Sequence, residues 1–581
     1  MRDTWRCGSS VCTYPSVVLS KAQRFRRRPL RPPIKESADD SVPSPLPVDE
    51  LCEELCNPSI YPHDPESITI TQTHISVVAL VPPFVYKVKK PVDFGFLDFT
   101  TLDKRRAACE AEVRLNRRLC SDTYLGVVSL AETPEGARFE PEGARFEPES
   151  GEAADEIDVA VKMRHLPPEG FLHRRAEAGQ LSEHDVDAIV DHLVPFYEER
   201  DTSPAIAEQG WVDYLRVNTD ENFEQTVDHV GTLLTPPAHA VLQDYTDRFY
   251  DAHAALLNRR RTGGHFIDGH GDLRLEHVHR SDRGTCIYDC IEFNDRFRHL
   301  DVANDVAFLA MDLDGHGCRR LSRYFVQQVA ENLNDPELRD MVPFYKVYRA
   351  YVRGKVEGMR THDEEVPEDE REASARRARE HYRWALRYAV AGDHPKVLVV
   401  MGQTGSGKTT QAEACADALG WRHVSSDHLR KRLAGIPLHE RTPPDRRDEV
   451  YSHEMSARVY GEMESAALKT VQAQDAGVVV DATYSSSDGR TAFRDRLRES
   501  GISYAFIELV APTDTRRARL ERRNGEATVS DARVDVMAKI DDRYEAPNAL
   551  WDPHHLRIQT QEHVHETTTD ILRALIRLQD G

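Results

Sequence analysis

Eight residues constrain this chain more than any others. They are Gly402, Gln403, Thr404, Gly405, Ser406, Gly407, Lys408 and Thr409, with Thr410 next, spaced as G-x-x-x-x-G-K-T. The apolar, β-branched run Lys396–Met401 before them reads as a strand buried on both faces of a parallel sheet. Gln411–Leu419 after them is rich in helix formers. A strand, a glycine loop and a helix in that order let backbone N–H groups converge on phosphate oxygens. Glycine removes the Cβ that would block the approach, Lys408 adds a mobile charge, and the Thr409 hydroxyl is a magnesium ligand. The expected domain is an α/β P-loop NTPase fold with a parallel sheet, binding ATP with Mg2+ across Gly402 to Thr410.

The residues beyond the loop extend that chemistry. Trp421–Ser426 leads to Asp427 and a basic helix start. A carboxylate at the carboxyl end of a parallel strand faces the acceptor side of the site, so Asp427 is a candidate base. Capping of the following helix by Ser426 or Asp427 is the structural alternative. Gly477–Asp481 repeats the strand-then-Asp pattern and puts Asp481 near magnesium, directly or through water. Thr515–Arg523 sets Arg519 and Arg523 on one helical face, where they either bracket transferring charge or form a solvated basic surface. With these features residues 396–581 resemble the small P-loop kinases, including the gluconate-kinase and zeta-toxin-like groups. The resemblance implies that Asp427 is the acceptor base and that Arg519 and Arg523 border a lid over ATP. It does not fix the acceptor.

A chain of 581 residues holds more than this one domain. Residues 1–48 read as a basic, Pro-rich disordered extension, with nine Lys and Arg against Asp3 and Glu36 up to residue 36 and no apolar targeting segment. Residues 49–390 form a first folded unit and residues 391–581 a second. Between them the charge-dense 361–380 stretch continues as a helix that Gly392, Asp393 and Pro395 stop. Within the first unit PEGARFE occurs twice in tandem, at 134–140 and 141–147, and marks a flexible loop over 133–156.

In the first unit, 77–90 holds two β-rich runs around Pro82 and Pro83, and alternation puts Lys87 and Lys89 on one face. A strand lysine can hold phosphates, and Glu110 or Glu112 on the helical 102–119 stretch can fix it; solvated lysines are the plainer alternative. The chemistry concentrates in FIDGHGD at 266–272 and CIYDCIEFN at 286–294. Asp272 follows His-Gly in a loop, and Asp289 ends an apolar strand, the placing of a catalytic base and a metal carboxylate. Their tasks require different environments, Asp272 taking a proton while Asp289 stays ionised.

Here the chain resembles the aminoglycoside phosphotransferase family, whose H-G-D-x-x-x-x-N motif is matched by His270, Gly271 and Asp272. The resemblance implies an α+β protein-kinase-like domain in which Lys87 and Glu112 position ATP, Asp289 holds magnesium, and Asp301 and Asp305 order the catalytic loop. It also implies that 157–166 enters the adenine hinge with Met163 and Leu166 at the base, although core packing explains both. The chain departs from the motif at its last position, where His277 replaces the metal-ligating Asn. Neutral imidazole is a poor ligand for a hard cation, and Glu276 or Asn294 are the candidates to replace it. The order of the two halves resembles a bacterial group of fusions without an assigned substrate.

Charge and composition narrow the function. The formal net charge of -22 opposes attraction to nucleic-acid backbone, and no apolar run reaches bilayer-spanning length. Ten cysteines without a C-x-x-C pair suggest reduced thiols in a cytosol, with Cys286 and Cys290 packed rather than metal-bound. The expected protein is a cytoplasmic phosphotransferase with two Mg-ATP sites, passing the γ-phosphoryl group to a small hydroxylated metabolite. A nucleotide-gated regulator without phosphotransfer and a nucleic-acid end kinase are the rival readings.

Overall fold

The computed structural model describes residues 46–93, 97–133, 136–140, 155–199, 202–363, 366–392, 394, 396–474, 476–523, 531, 534–548 and 551–579. The basic extension to residue 45 and the second heptapeptide lie outside them. The chain forms two compact units. The first takes residues up to Asn218 together with His253–Ala375; the second takes Thr219–Ala252 with Arg376–Gly581.

In the first unit six strands form an antiparallel sheet: β1 (Thr69–Gln72), β2 (Ser76–Val81), β3 (Phe84–Lys89), β4 (Tyr124–Thr133), β5 (Gly136–Phe139) and β6 (Asp155–Arg164). Their order is β1-β2-β3-β6-β4-β5. Alternation along β3 sends Tyr86 and Val88 into a cluster with Leu51, Leu55 and Ile60. The other face meets the Leu102–Asn116 helix, whose Cys109 and Val113 pack with Val159 and Val161 of β6. Thr101 caps that helix by accepting from the Lys104 N–H. Met163, offered by resemblance to an adenine pocket, packs against the same cluster.

Four short strands follow: β7 (Phe266–Asp268), β8 (Val278–Ser281), β9 (Gly284–Ile287) and β10 (His299–Asp301). β7 pairs with β10 and β8 with β9. Asp301 caps the Val302–Gly315 helix at the Ala303 N–H, 2.8 Å away, and its carboxylate also pairs with buried Arg260 at 2.7 and 2.8 Å. Cys120 and Cys286 form a disulfide across 166 residues, which corrects the expectation of reduced, merely packed thiols. The pairing arises because β9 runs alongside the end of the Leu102–Asn116 segment, where the Ile287 N–H donates to Leu119 O at 3.2 Å. Cys290 is the buried thiol expected, pushed up to about 12 by burial.

The second unit is built on a parallel sheet of β11 (Lys396–Met401), β12 (Arg422–Ser425), β13 (Val478–Asp481), β14 (Ser503–Val510) and β15 (His555–Gln559). The order is β12-β13-β11-β14-β15, so β11 is central and buried along its whole length. Val397, Val399 and Met401 pack with Met463 and Ala467 of the His453–Gln474 helix and Phe493 and Leu497 of the Ser487–Glu499 helix. Gly392, with φ +60°, follows the helix that ends at Ala391, as the sequence anticipated.

Candidate functional sites

In the second unit the glycine loop leaves the carboxyl end of β11 and opens the Lys408–Leu419 helix. Gly402, Gly405 and Gly407 have φ values of +140°, +79° and +96°. A Cβ on Gly402 would stand 2.4 Å from the Leu509 carbonyl oxygen, and one on Gly405 would stand 2.9 Å from that of Arg516. Conformation and close approach both demand glycine there. Lys408 Nζ donates to Gln403 O at 3.0 Å, so the lysine folds back over the loop. Thr409 Oγ1 lies 3.4 Å from Asp481 Oδ1 at the end of β13. Hydroxyl and carboxylate are the hard oxygen donors that fit Mg2+. His423 Nε2 lies 3.1 Å from the other Asp481 oxygen.

Arg519 reaches the loop, with Nη1 3.3 Å from Ser406 O and 3.0 Å from Thr560 Oγ1. Arg523 ends the same Thr513–Arg523 helix, and its side chain lies outside the described residues. Arg516, which the sequence did not single out, donates to Thr404 O at 3.2 Å and pairs with Asp541 at 2.9 Å. Its signal was only its place one turn before Arg519. Asp427 requires a correction: β12 stops at Ser425, so Asp427 is the second residue of the Ser426–Ala434 helix rather than the end of a strand. Ser425, one residue before the Ser426 and Asp427 considered for it, holds the cap position and makes no side-chain cap bond. Burial raises the hydroxyls of Tyr451 and Tyr460, and the Asp427 charge nearby adds to both. The Arg430 guanidinium lies 5.0 Å from the Tyr451 ring centroid.

In the first unit the strand and helix bring together what the sequence paired. Lys87 Nζ donates to Glu112 Oε1 at 2.8 Å and to Asp289 Oδ1 at 3.0 Å. Glu112 rather than Glu110 turns inward, and Glu110 is exposed. Lys89 is buried, not solvated, donating to Glu112 Oε2 at 2.5 Å and to Glu292. Burial opposes charging Lys87 and Lys89, yet the surrounding carboxylates hold both above the usual lysine value. Glu112 is held low against its burial by the two lysines, whereas burial and the Glu112 charge push Glu292 up. Glu292 was missed, although it lies three residues beyond Asp289.

Asp272 lies in the loop after β7. Asp305 orders that loop by accepting from the His270 and Gly271 N–H groups at 2.7 and 2.8 Å. Arg349 Nη1 donates to Gly271 O at 2.9 Å. Both Asp272 oxygens are taken by Arg274, from Nε at 3.0 Å and Nη2 at 2.9 Å. Burial alone would raise the carboxyl, but Arg274, His277 and Arg353 hold it at about 2. Asp289, in a left-handed conformation at φ +63°, is likewise held well below the usual range against its burial, by Lys87 and His277. The two carboxylates therefore do not have the opposed environments expected of them, because cationic or polarisable partners crowd both. Arg274 was another omission, though it stands two residues after Asp272.

His277 sits between these carboxylates. Its Nδ1 is 2.8 Å from Asp272 O, and its Nε2 is 3.6 Å from Asp289 Oδ2. Glu276 pairs with Arg274, and Asn294 Oδ1 accepts from Arg296 N at 3.1 Å, so neither replaces the motif's Asn. One carboxylate beside an imidazole does not fit Mg2+ as the second unit's donors do. Among the described residues no three His, Cys, Asp or Glu side chains converge as a metal cluster.

Residues 397–547 match the AAA domain family. An uncharacterized protein of Mycobacterium tuberculosis is 29% identical over 504 residues, which is 86% of this chain and 93% of that protein. An uncharacterized protein of Mycobacterium bovis matches to the same extent. A gluconokinase from Sinorhizobium meliloti is 24% identical in structural alignment, covering 32% of this chain and 94% of that chain with a TM-score of 0.23. The Mycobacterium tuberculosis APS kinase, solved in complex with AMPPNP and APS, is 21% identical, covering 32% and 98% with a TM-score of 0.24. No helix among the described residues is long and apolar enough to cross a membrane. The glycine loop, the parallel strand order and the family match at 397–547 make the second unit a P-loop domain of the nucleotide-binding type.

Proposed function

We propose that the chain is an ATP-dependent phosphotransferase whose second unit passes the γ-phosphoryl group of ATP to a small hydroxylated acceptor. The observation that carries this reading is the gathering of Lys408, Thr409, Asp481 and Arg519 around one glycine loop at the carboxyl end of β11. Phosphoryl transfer needs positioning and charge stabilisation more than covalent chemistry, and these groups supply both. Thr409 and Asp481 would hold Mg2+, which neutralises phosphate charge when bound. Arg519 would face the transferring group, and Asp427 the acceptor hydroxyl.

The first unit is proposed as a second ATP site of protein-kinase-like, aminoglycoside-phosphotransferase type. Lys87, fixed by Glu112, would bind phosphates, and Asp272 would orient an acceptor hydroxyl. A second reading has one observation in its favour: Arg274 occupies both oxygens of Asp272, which suits a unit that binds nucleotide and regulates without transfer. Labelled-phosphate transfer from ATP across a panel of sugars, nucleosides and aminoglycosides tests both readings. Transfer lost in Lys408→Ala supports the first; an inert wild type that still binds ATP sinks it and leaves the regulator.

A further inference from the structure

We propose that the acceptor of the first unit is a hydroxylated metabolite that also carries an oxyanion, phosphate or carboxylate, and that Arg353 binds this group beside Asp272. The proposal rests on the phosphotransferase reading of that unit and adds the charge of its acceptor and the residue that selects it.

Helix spacing sets the position. Lys346, Arg349 and Arg353 recur at intervals of three and four along the Leu338–Arg360 helix, which puts them on one face, and all three are buried. Burying a cation is costly unless it is paired and hydrogen-bonded. Lys346 meets that need with Asp314 at 2.9 Å, and Arg349 with Asn304 Oδ1 at 2.6 Å and Gly271 O at 2.9 Å. Arg353 does not. It is 9% exposed, and its one hydrogen bond among the described residues is a long one, from Nη2 to Glu357 Oε1 at 3.3 Å. Most of a five-donor fork is left unspent.

The neighbours of that fork identify what it lacks. Arg274 is already committed, with Nε and Nη2 on Asp272 and Nη1 on Glu276. Burial and then the Arg274 charge push Arg353 down to about 10, against the pull of Glu357, Asp272 and Asp312. Asp312 accepts from the Leu275 N–H at 2.8 Å. The protein's own carboxylates therefore act on this cation without filling its donors. An oxyanion on the acceptor would do both, engaging paired planar donors and offsetting two neighbouring guanidiniums. An ammonium group would add a third cation beside them. Arg353 also helps to hold the Asp272 carboxylate at about 2, so the bound oxyanion would lie close to the oxygen that orients the hydroxyl. In the transfer the acceptor oxygen bonds to the γ-phosphorus as the bond to the β,γ-bridging oxygen breaks. ADP leaves, the hydroxyl proton passes late to Asp272, and the oxyanion is unchanged.

Labelled-phosphate transfer from ATP by the full-length Lys408→Ala protein, in which the second unit is disabled, reads the acceptor's charge from matched sets. One set is glucose, glucosamine, glucose 6-phosphate and gluconate; ribose and nucleosides with their phosphates and acids make the others. A phosphate- or carboxylate-bearing member is expected to exceed its neutral parent in kcat/KM, and the two arms tell phosphate from carboxylate. In Arg353→Gln that value should fall about 10- to 100-fold, through KM, while the neutral parent changes about threefold at most. Arg353→Lys, which keeps the charge but not the fork, should recover part of the loss. With Arg353 intact, a preference for neutral or amine-bearing members, or transfer to none of them, overturns the proposal however the variants fold. An anion-to-neutral ratio that both variants leave unchanged overturns it as well. A fluorescent ATP analogue separates the two levels. Binding that Lys87→Ala removes, with the wrong preference, sinks the acceptor assignment alone. Binding that Lys87→Ala leaves unchanged sinks the nucleotide reading of the first unit and the proposal with it.

Discussion

Replacing Lys89 by Met tests whether the buried charge network holds the first unit together. The Lys89 side chain is 0% exposed, between Glu112 at 1% and Glu292 at 5%. Methionine keeps most of the volume, so the loss is electrostatic rather than a cavity. Wild type sets two ammoniums against the carboxylates of Glu112, Glu292 and Asp289. The variant leaves Lys87 alone against all three. Removing one partner from a buried pair costs about 3–5 kcal/mol because the other charge stays desolvated. The cost should depend on pH in a defined direction. Glu292 is already raised in the folded protein, and without Lys89 it rises further. A carboxyl with a folded pKa above its unfolded value binds an extra proton on folding, so the penalty shrinks as pH falls towards that folded value. The slope is at most about 1.4 kcal/mol per pH unit for one proton. Hydrogen exchange by mass spectrometry in peptides covering Phe84–Lys89 and Leu102–Asn116, expressed as protection factors, reads this unit separately. A protection loss of about 3 kcal/mol or more at pH 8, smaller at pH 6, is expected. Wild-type protection at both values, or a deficit unchanged between them, would refute the reasoning.

Gly402→Ala should abolish nucleotide binding by the second unit in calorimetry, since backbone strain of about 1–3 kcal/mol adds to a 2.4 Å approach to a backbone oxygen. Reducing the Cys120–Cys286 bond, or Cys120→Ser, should cost the first unit about 2–5 kcal/mol because the bond closes a long loop; unchanged thermal unfolding with and without dithiothreitol would count against the bond. Arg274→Ala leaves the buried Asp272 carboxylate with fewer cations, so its pKa should climb from about 2. A depressed carboxyl contributes stability above its unfolded pKa of roughly 3.9 and loses it as pH falls towards 2, so the variant's first unit should open at a higher pH in limited proteolysis.

What the sequence disclosed depended on how far apart the cooperating residues lie. The phosphate loop was legible because strand, glycines, lysine and helix are contiguous, and each has a local reason to be there. Lys87 with a glutamate of the next helix was legible as a pair but not as a choice. Which of Glu110 and Glu112 faces the sheet is set by the packing of Cys109 and Val113 against β6. Burial of Lys89 depends on the helix covering that face of β3, which alternation alone does not reveal. The Cys120–Cys286 bond needed the register of β9, 166 residues away in sequence. Asp427 slipped from strand end to helix start because element ends are the least determined feature of a sequence pattern. Arg274 and Glu292 were overlooked for another reason: they fall between the positions of a motif, and their roles come from the carboxylate and lysine they touch.

Those two residues bear on how the first unit could work. A carboxylate held at about 2 is a weak base, and two guanidinium donors leave it little capacity for a hydroxyl proton. Such weakness disqualifies a general-base mechanism more than it disqualifies phosphoryl transfer. In a loose transition state the acceptor keeps its proton until late, and orienting its oxygen in line matters more than removing the proton early. Each Asp272 oxygen keeps a second lone pair beside its Arg274 bond, but on the proposed transferase reading Asp272 would orient a hydroxyl most strongly once Arg274 yields one oxygen. Arg274 also holds Glu276, so it has a second carboxylate to retain it when it does. On the proposed reading of this unit, the difference between a transferase and a silent nucleotide sensor would turn on how firmly Arg274, which holds Asp272 and Glu276 at once, keeps Asp272. An anionic acceptor that drew Arg274 towards itself would free the Asp272 oxygen at the moment its own hydroxyl arrived.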